Sequence, residues 1–172
     1  MKNEDLNNPY KHVEKIKNYA QKITNLIYKK TKVNKTLIYY EEIFFFYFLN
    51  DVVFSLTDKP IYIKNQITAL LFNEIEYDYK DIKLHAFFRQ KTYCNILLKY
   101  SEKISIEFLQ DSFQYQSELI NYISENNTLA PLKYSTSSLS DWLFLASDNK
   151  LIKKVNKLLV NKCNIIYDFI AE

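Results

Sequence analysis

Residues 43–49, Ile-Phe-Phe-Phe-Tyr-Phe-Leu, form the longest uninterrupted run of apolar and aromatic residues in the chain. Apolar character on every face is typical of a helix buried in a bundle, although a short run of this kind can also be a buried strand. The pattern continues through Val52, Val53 and Phe54, beyond the usual length of a strand. We therefore predict a buried, aromatic-rich helix over about residues 37–56.

The chain of 172 residues contains no glycine, although average usage would give about twelve. Phosphate-binding loops, dinucleotide fingerprints, nucleophile elbows and standard calcium loops all need a residue without a Cβ atom. Tight hairpins between strands also depend on glycine at positive φ, whereas helices do not. The composition therefore argues against these nucleotide, hydrolase and calcium sites and favours an all-α fold.

Helical spacing of apolar residues extends this prediction to the whole chain. The first helix is predicted at about residues 9–30, because Asn8 suits an N-cap, Pro9 suits the first helical position and apolar residues recur at helical spacing from Val13 to Ile27. Further helices are predicted around residues 67–75, at about residues 81–100, after Ser105, after Ser138 and after Asp148. Between them, Asn34 is expected to adopt a left-handed conformation, and residues 61–63 to be briefly extended. We predict one domain over residues 1–172, an irregular bundle of about six to seven helices around the aromatic-rich helix.

Residues that could make a metal, disulfide or membrane site are few. Cys94 and Cys163 are the only cysteines and are interpreted as buried apolar residues, and no Glu-x-x-His pair of a di-iron bundle occurs. No metal or other cofactor is expected. The amino terminus lacks an apolar leader segment, which favours a cytoplasmic location.

Four polar residues interrupt the apolar helix at about residues 37–56, and so argue against a membrane span. They are interpreted as the edge where the helix meets solvent or a partner, and comprise Glu41, Glu42, Asn50 and Asp51.

Charge is unevenly distributed, although the net charge is only +3. Residues 1–36 carry nine lysines and three acidic residues, residues 37–148 carry nine basic and fifteen acidic residues, and residues 149–172 carry five lysines and two acidic residues. If the first and last helices pack side by side, their lysines form a positive surface for nucleic acid or an acidic protein. The alternative is two ordinary solvated faces. The candidate surface consists of Lys15, Lys22, Lys29, Lys150, Lys153, Lys154 and Lys157.

A second candidate is a row on the fourth predicted helix, where Asp81, His85 and Arg89 follow one another at intervals of four residues. Such a row can pair a general base with an anion-binding group in an enzyme. It can equally be a charged helix surface, stabilised by a few tenths of a kcal/mol per pair. The surface row is the favoured interpretation.

No motif in the chain is specific enough to indicate a family or a catalytic site. By elimination, and because tyrosine is abundant in interface cores, we predict a small protein-binding module, such as an inhibitor or immunity-type protein that covers a partner's surface. The first alternative is a nucleic-acid-binding regulator that uses the lysine faces. The second is an enzyme that uses Asp81, His85 and Arg89. Another protein is the expected partner, with nucleic acid as the alternative and no membrane.

Overall fold

The computed structural model describes residues 7–73, 75, 82–126 and 149–171, except for the side chains of residues 83, 149–152 and 155. Within these ranges the chain forms six α-helices and no strand. The all-α prediction is confirmed for this part of the chain, whereas the short helix predicted after Ser138 and the cap at Asp148 lie outside it. The helices are α1 (Pro9–Thr31), α2 (Lys35–Ser55), α3 (Ile61–Phe72), α4 (Ile82–Lys99), α5 (Ile106–Asn126) and α6 (Asn149–Ala171).

Local signals determine where α1 begins and which face it buries. The Asn8 side chain accepts a hydrogen bond of 3.2 Å from the Lys11 backbone N–H, and Pro9 occupies the first turn. Both are favourable at a helix start, because they satisfy or remove an unpaired backbone donor. The apolar stripe that the sequence predicted is buried, and comprises Val13, Ile16, Ala20, Ile23 and Ile27.

The connection between α1 and α2 differs from the prediction at one residue. Lys32, and not Asn34, adopts the left-handed conformation, with φ at 57°, and its backbone N–H bonds to Tyr28 O at 2.9 Å. Asn34 instead caps α2, where its side chain accepts from the Thr36 and Leu37 N–H groups at 3.0 and 3.3 Å. Asparagine suits both roles, and here the cap satisfies two helix donors.

The prediction that residues 61–63 are extended is wrong, because α3 already begins at Ile61. Pro60 precedes it with φ at −61° and ψ at 139°, and the Ile63 N–H bonds to Pro60 O at 3.0 Å. β-Branched residues disfavour helix by only a few tenths of a kcal/mol. Burial of Ile63 and Ile67 in the core outweighs that small preference.

Helix α2 contacts α1, α3, α4 and α5. Its aromatic rings meet rings from all five other helices: Phe46 packs against Phe169 of α6 at 5.1 Å and against Tyr19 of α1 at 6.2 Å. Phe45 meets Tyr93 of α4 at 4.9 Å and Phe108 of α5 at 6.2 Å. Phe44 meets Phe72 of α3 at 5.9 Å. Edge-to-face and offset ring pairs add to the free energy of area burial.

Candidate functional site

Arg89 is the last residue of the predicted polar row, and the structure does not place it on the surface. It is 1% exposed, and its Nη2 and Nε atoms donate to the two Glu41 carboxylate oxygens at 2.9 and 3.2 Å. The half-buried His85 has its Nδ1 atom 3.4 Å from Arg89 Nη1. Asp81 lies outside the described residues. The interpretation of Arg89 as part of a charged surface row is therefore wrong, because a partner 48 residues away holds its guanidinium inside the bundle.

Glu41 and Glu42 do not mark an edge of α2, as the sequence had suggested, because they are 3% and 0% exposed. Lys162 of α6 donates to Glu42 Oε1 at 2.9 Å and also to Gln116 Oε1 of α5. The Gln116 amide in turn donates to the backbone oxygen of Glu41 at 3.3 Å. We call this set the buried charge network. It joins α2, α4, α5 and α6, and comprises Glu41, Glu42, Arg89, Gln116 and Lys162.

Aromatic rings surround both cations of the network. Lys162 Nζ lies 5.4 Å from the Phe45 ring centre and 5.0 Å from that of Phe113. The Arg89 guanidinium lies 5.3 Å from the Phe44 ring centre. Ring faces carry negative potential, so these contacts offset part of the cost of removing the cations from water.

Asn50 also contradicts the interpretation as a solvent edge, whereas Asp51 is only partly buried. Asn50 is 1% exposed, and its Oδ1 atom lies 2.6 Å from Nε2 of the buried His12. Asp51 is half-buried, forms an ion pair with Lys64 of α3 and accepts a bond of 2.8 Å from the Gln90 amide of α4. All four polar positions of α2 thus bind side chains of other helices.

Burial controls the electrostatics of the network. Complete desolvation raises the pKa of Glu42 above its ordinary value of 4.5, and the Lys162 ammonium offsets only part of that effect. For Arg89, burial disfavours the charged form, but the Glu41 carboxylate outweighs it and raises the pKa of the guanidinium. Desolvation also raises the pKa of Tyr93 well above its usual range. Arg89 therefore stays charged. Because its guanidinium is bound by the Glu41 carboxylate inside the bundle, it is not available to bind an external anion.

The raised pKa of Glu42 predicts a dependence of stability on pH. Just above pH 4.5 the folded chain binds more protons at this site than the unfolded chain, so ionisation of Glu42 weakens the fold as the pH rises. The difference in unfolding free energy between the wild type and Glu42→Gln is expected to be larger at about pH 5 than at about pH 7. Urea denaturation of both proteins measures it. A difference that shrinks on acidification would mean that Lys162 lowers the pKa instead.

The lysines of the candidate surface lie on helices that contact each other, since α1 packs against α6. Lys22, Lys29, Lys153, Lys154 and Lys157 are exposed and Lys15 is half-buried, whereas the side chain of Lys150 is outside the described part. Lys29 and Lys154 line the same cavity, so one lysine from each helix converges there. Lys22 instead lies over the Tyr19 ring at 5.1 Å, in a shallow groove that also contains Glu14.

The cavity shared by Lys29 and Lys154 has a volume of about 540 Å³. Its wall comes from the carboxyl end of α1, the start of α2, the middle of α5 and the first turns of α6. Lys30 also lines it, as does Glu118, which accepts a bond of 2.8 Å from Gln114. We call this site the lysine-rimmed cavity. Its apolar lining consists of Ile27, Val33, Ile38, Phe113, Ile120 and Leu158.

Helix α4 carries apolar residues on its exposed side as well as on its buried side, a feature that sequence reasoning missed. Arg89 points inward, whereas four apolar residues are exposed on the opposite side: Leu84 at 53%, Phe87 at 59%, Phe88 at 37% and Leu98 at 60%. Leu84, Phe87 and Phe88 lie on adjoining turns, and Leu98 lies on the same side ten residues further on, beyond the exposed Lys91 and Asn95. We call these exposed apolar residues the α4 apolar face. Cys94 is exposed on the same helix, so the interpretation of both cysteines as buried is wrong for Cys94 and correct for Cys163.

The sequence contained a signal for the buried arginine and the exposed apolar residues of α4. Helix α4 combines the only arginine of the chain with apolar residues on all faces, so its pattern fits no ordinary amphipathic surface helix. An internal carboxylate could have been expected for the arginine, because a buried charge needs a partner.

Two other kinds of site were sought among the described residues. No group of three or more His, Cys, Asp or Glu side chains there is arranged to hold a metal ion. None of the helices in the described ranges has both the length and the apolar character of a membrane span. Comparisons with protein-family models, with curated proteins and with solved structures gave no match. Function must therefore be argued from the surfaces of this chain.

Proposed function

We propose that the protein is a small binding module that covers a surface of another protein, as an inhibitor or immunity-type protein does. The observation that carries this proposal is the exposure of four large apolar residues on α4. Buried apolar residues and Arg89, which binds Glu41, hold its inner side in the bundle, while its outer side exposes two phenylalanines and two leucines. Single exposed apolar residues are normal, but a cluster such as Leu84, Phe87 and Phe88, within five consecutive residues, is typical of a protein interface.

The geometry of the α4 apolar face suits a docking role. The Phe87 and Phe88 rings lie 5.8 Å apart in an edge-to-face arrangement, which presents one broad aromatic surface. Large rigid rings lose little conformational entropy when they bind, and aromatic residues are enriched at interface cores. Lys91, which follows Phe87 by four residues, is exposed beside them. A partner with an apolar pocket and a neighbouring carboxylate would complement this face.

The finer architecture belongs to the same proposal. We propose an irregular bundle built around α2, in which the buried charge network fixes α4 against α2. A rigid helix is a better docking element than a loop, because less order has to be gained on binding.

Replacing Phe87 and Leu98 by serine tests the function. The immobilised wild type is used to capture partner proteins from an extract of the native host. The captured amount is expected to be at least about tenfold lower with Phe87→Ser/Leu98→Ser, because central aromatic anchors dominate binding energy. The matched control is Lys22→Gln/Lys153→Gln, which changes two exposed residues of α1 and α6. Quantitative mass spectrometry of the retained proteins measures the effect.

Two results would contradict the proposal. One is an unchanged set of captured proteins at unchanged amounts in Phe87→Ser/Leu98→Ser. The other is retention on a nucleic-acid column that weakens steeply with salt and persists in this variant, which would favour the nucleic-acid alternative. Once a partner is known, its activity in the presence of increasing amounts of the protein distinguishes an inhibitor from an adaptor.

A further inference from the structure

The lysine-rimmed cavity has a size and a composition suited to a small molecule. At about 540 Å³ it falls within the range of about 300–1,000 Å³ that is common for ligand pockets. Several of its lining side chains also belong to the hydrophobic core, so neighbouring helices hold them in place. These core residues are Ile27, Ile38, Phe113, Ile120 and Leu158.

Two polar side chains of α5 that line the cavity, Gln116 and Ser117, bind internal partners, and the exposed Asn121 also lines it. Ser117 donates to the backbone oxygen of Phe113 at 2.9 Å. Gln116 accepts from Lys162 and donates to the backbone oxygen of Glu41 at 3.3 Å. Both side chains are therefore directed to internal partners, which leaves a largely apolar space. A ligand that filled it would need a hydrocarbon or aromatic body.

Charge at the rim specifies the other end of the ligand. Lys29, Lys30 and Lys154 line the cavity and are exposed, and among the described lining residues they face one carboxylate, that of Glu118, which Gln114 binds. The rim is thus net positive beside an apolar interior. An ammonium that stays in water while its stem covers apolar surface is an ordinary arrangement for lysine. The complementary molecule has one apolar body and one anionic head.

We propose that the lysine-rimmed cavity binds a free apolar acid, a molecule with a single hydrocarbon body and a carboxylate or phosphate head. The body occupies the space between α1, α5 and α6, and the head lies at the rim near Lys29 and Lys154. This site is separate from the α4 apolar face. It assigns a ligand-binding role to one part of the lysine surface, where three lysines converge on an apolar space.

Calorimetry with decanoate as the probe tests the site, with decanol and decylamine as neutral and cationic probes of the same chain length. All three are used below the concentration at which they form micelles. Decanoate is expected to bind the wild type at least about five times more tightly than decanol, and decylamine the least, because only the carboxylate pairs with the rim lysines. No binding of decanoate, or equal binding of all three probes, would overturn the proposal.

Matched variants locate the binding. Lys29→Gln/Lys154→Gln is expected to weaken decanoate binding by about five- to tenfold, and Lys22→Gln/Lys153→Gln by less than about twofold. Both variants remove two exposed lysines, one from α1 and one from α6, and only the first pair lines the cavity. Equal losses in the two variants would mean attraction to the whole lysine surface and would overturn the proposal.

A third variant and a second probe separate the cavity from a membrane surface. Ser117→Phe places a ring in the cavity and is expected to abolish decanoate binding, with circular dichroism to confirm that the variant folds. If it does not fold, the lysine pairs still decide the outcome. Vesicles of phosphatidylglycerol present the same anionic chemistry on a lipid surface. The proposal would be overturned if the protein bound vesicles but not free decanoate, and if both lysine variants weakened vesicle binding equally. These variants are Lys22→Gln/Lys153→Gln and Lys29→Gln/Lys154→Gln.

Discussion

Replacing Lys162 by methionine is expected to lower the free energy of unfolding by about 3–5 kcal/mol at neutral pH, because it leaves a buried carboxylate without its cation. Lys162 is 2% exposed, and its ammonium binds Glu42 and Gln116 in the middle of the bundle. Methionine is close to lysine in length and fills most of the same volume. The loss therefore reports the missing charge instead of a cavity, and urea denaturation measures it.

The double variant Glu42→Met/Lys162→Met separates the ion pair from its surroundings. Replacing both members of a buried pair is often close to neutral, whereas Gln116 Oε1 still loses a donor at a cost of about 1–2 kcal/mol. The double variant should therefore be more stable than the single one. Lys157→Met, on an exposed position of the same helix, should change stability by less than about 0.5 kcal/mol. A double variant that is less stable than Lys162→Met would contradict this account.

The course of the chain was predictable wherever the signals were local. Asn8 and Pro9 indicated the start of α1, and the buried stripe from Val13 to Ile27 followed from helical spacing. Residues 43–49 predicted the aromatic core of α2. The sequence pattern gave the wrong structure for residues such as 61–63. There, the weak preference of β-branched residues against helix is opposed by burial in the assembled bundle.

Pairing across the chain was not predictable in the same way. Glu42 and Lys162 are 120 residues apart, and no local pattern relates them. Glu41 and Glu42 nevertheless lie in a helix that had been predicted to be buried. A buried charge is costly unless it is paired, so two internal cations could have been expected in place of a solvent edge. Which cations these are depends on the packing of α4 and α6.

For the candidate surfaces, too, local features were predictable and features that depend on helix packing were not. Exposure of five lysines of the candidate surface followed from the outward faces of two amphipathic helices; these are Lys22, Lys29, Lys153, Lys154 and Lys157. Their convergence at the lysine-rimmed cavity depends on how α1 and α6 pack. The α4 apolar face was missed because apolar residues at helical spacing are usually assigned to a core. Here Arg89 occupies the inner side of the helix, so Phe87 and Leu98 are left outside.

Replacing Arg89 by methionine is expected to lower the free energy of unfolding by about 3–5 kcal/mol, because Glu41 is then buried without a partner. Replacement by lysine should recover only part of this loss. A lysine ammonium is a compact charge and cannot reproduce the two parallel bonds from Nε and Nη2 to the carboxylate. Thermal denaturation of Arg89→Lys, Arg89→Met and the wild type measures the series. Equal stability of Arg89→Lys and the wild type would show that charge alone suffices.

The same series connects the buried charge network with the proposed docking surface. Because Arg89 holds the inner side of α4 against Glu41, its replacement by lysine should loosen the helix that carries Phe87 and Leu98. Partner affinity should then fall in Arg89→Lys even at temperatures where the variant remains folded, since a less ordered surface loses more entropy on binding. Phe87→Ser/Leu98→Ser should show the opposite combination, with lost affinity and a change in stability of less than about 0.5 kcal/mol. If Arg89→Lys binds the partner as tightly as the wild type, the ion pair stabilises the bundle without shaping the α4 apolar face.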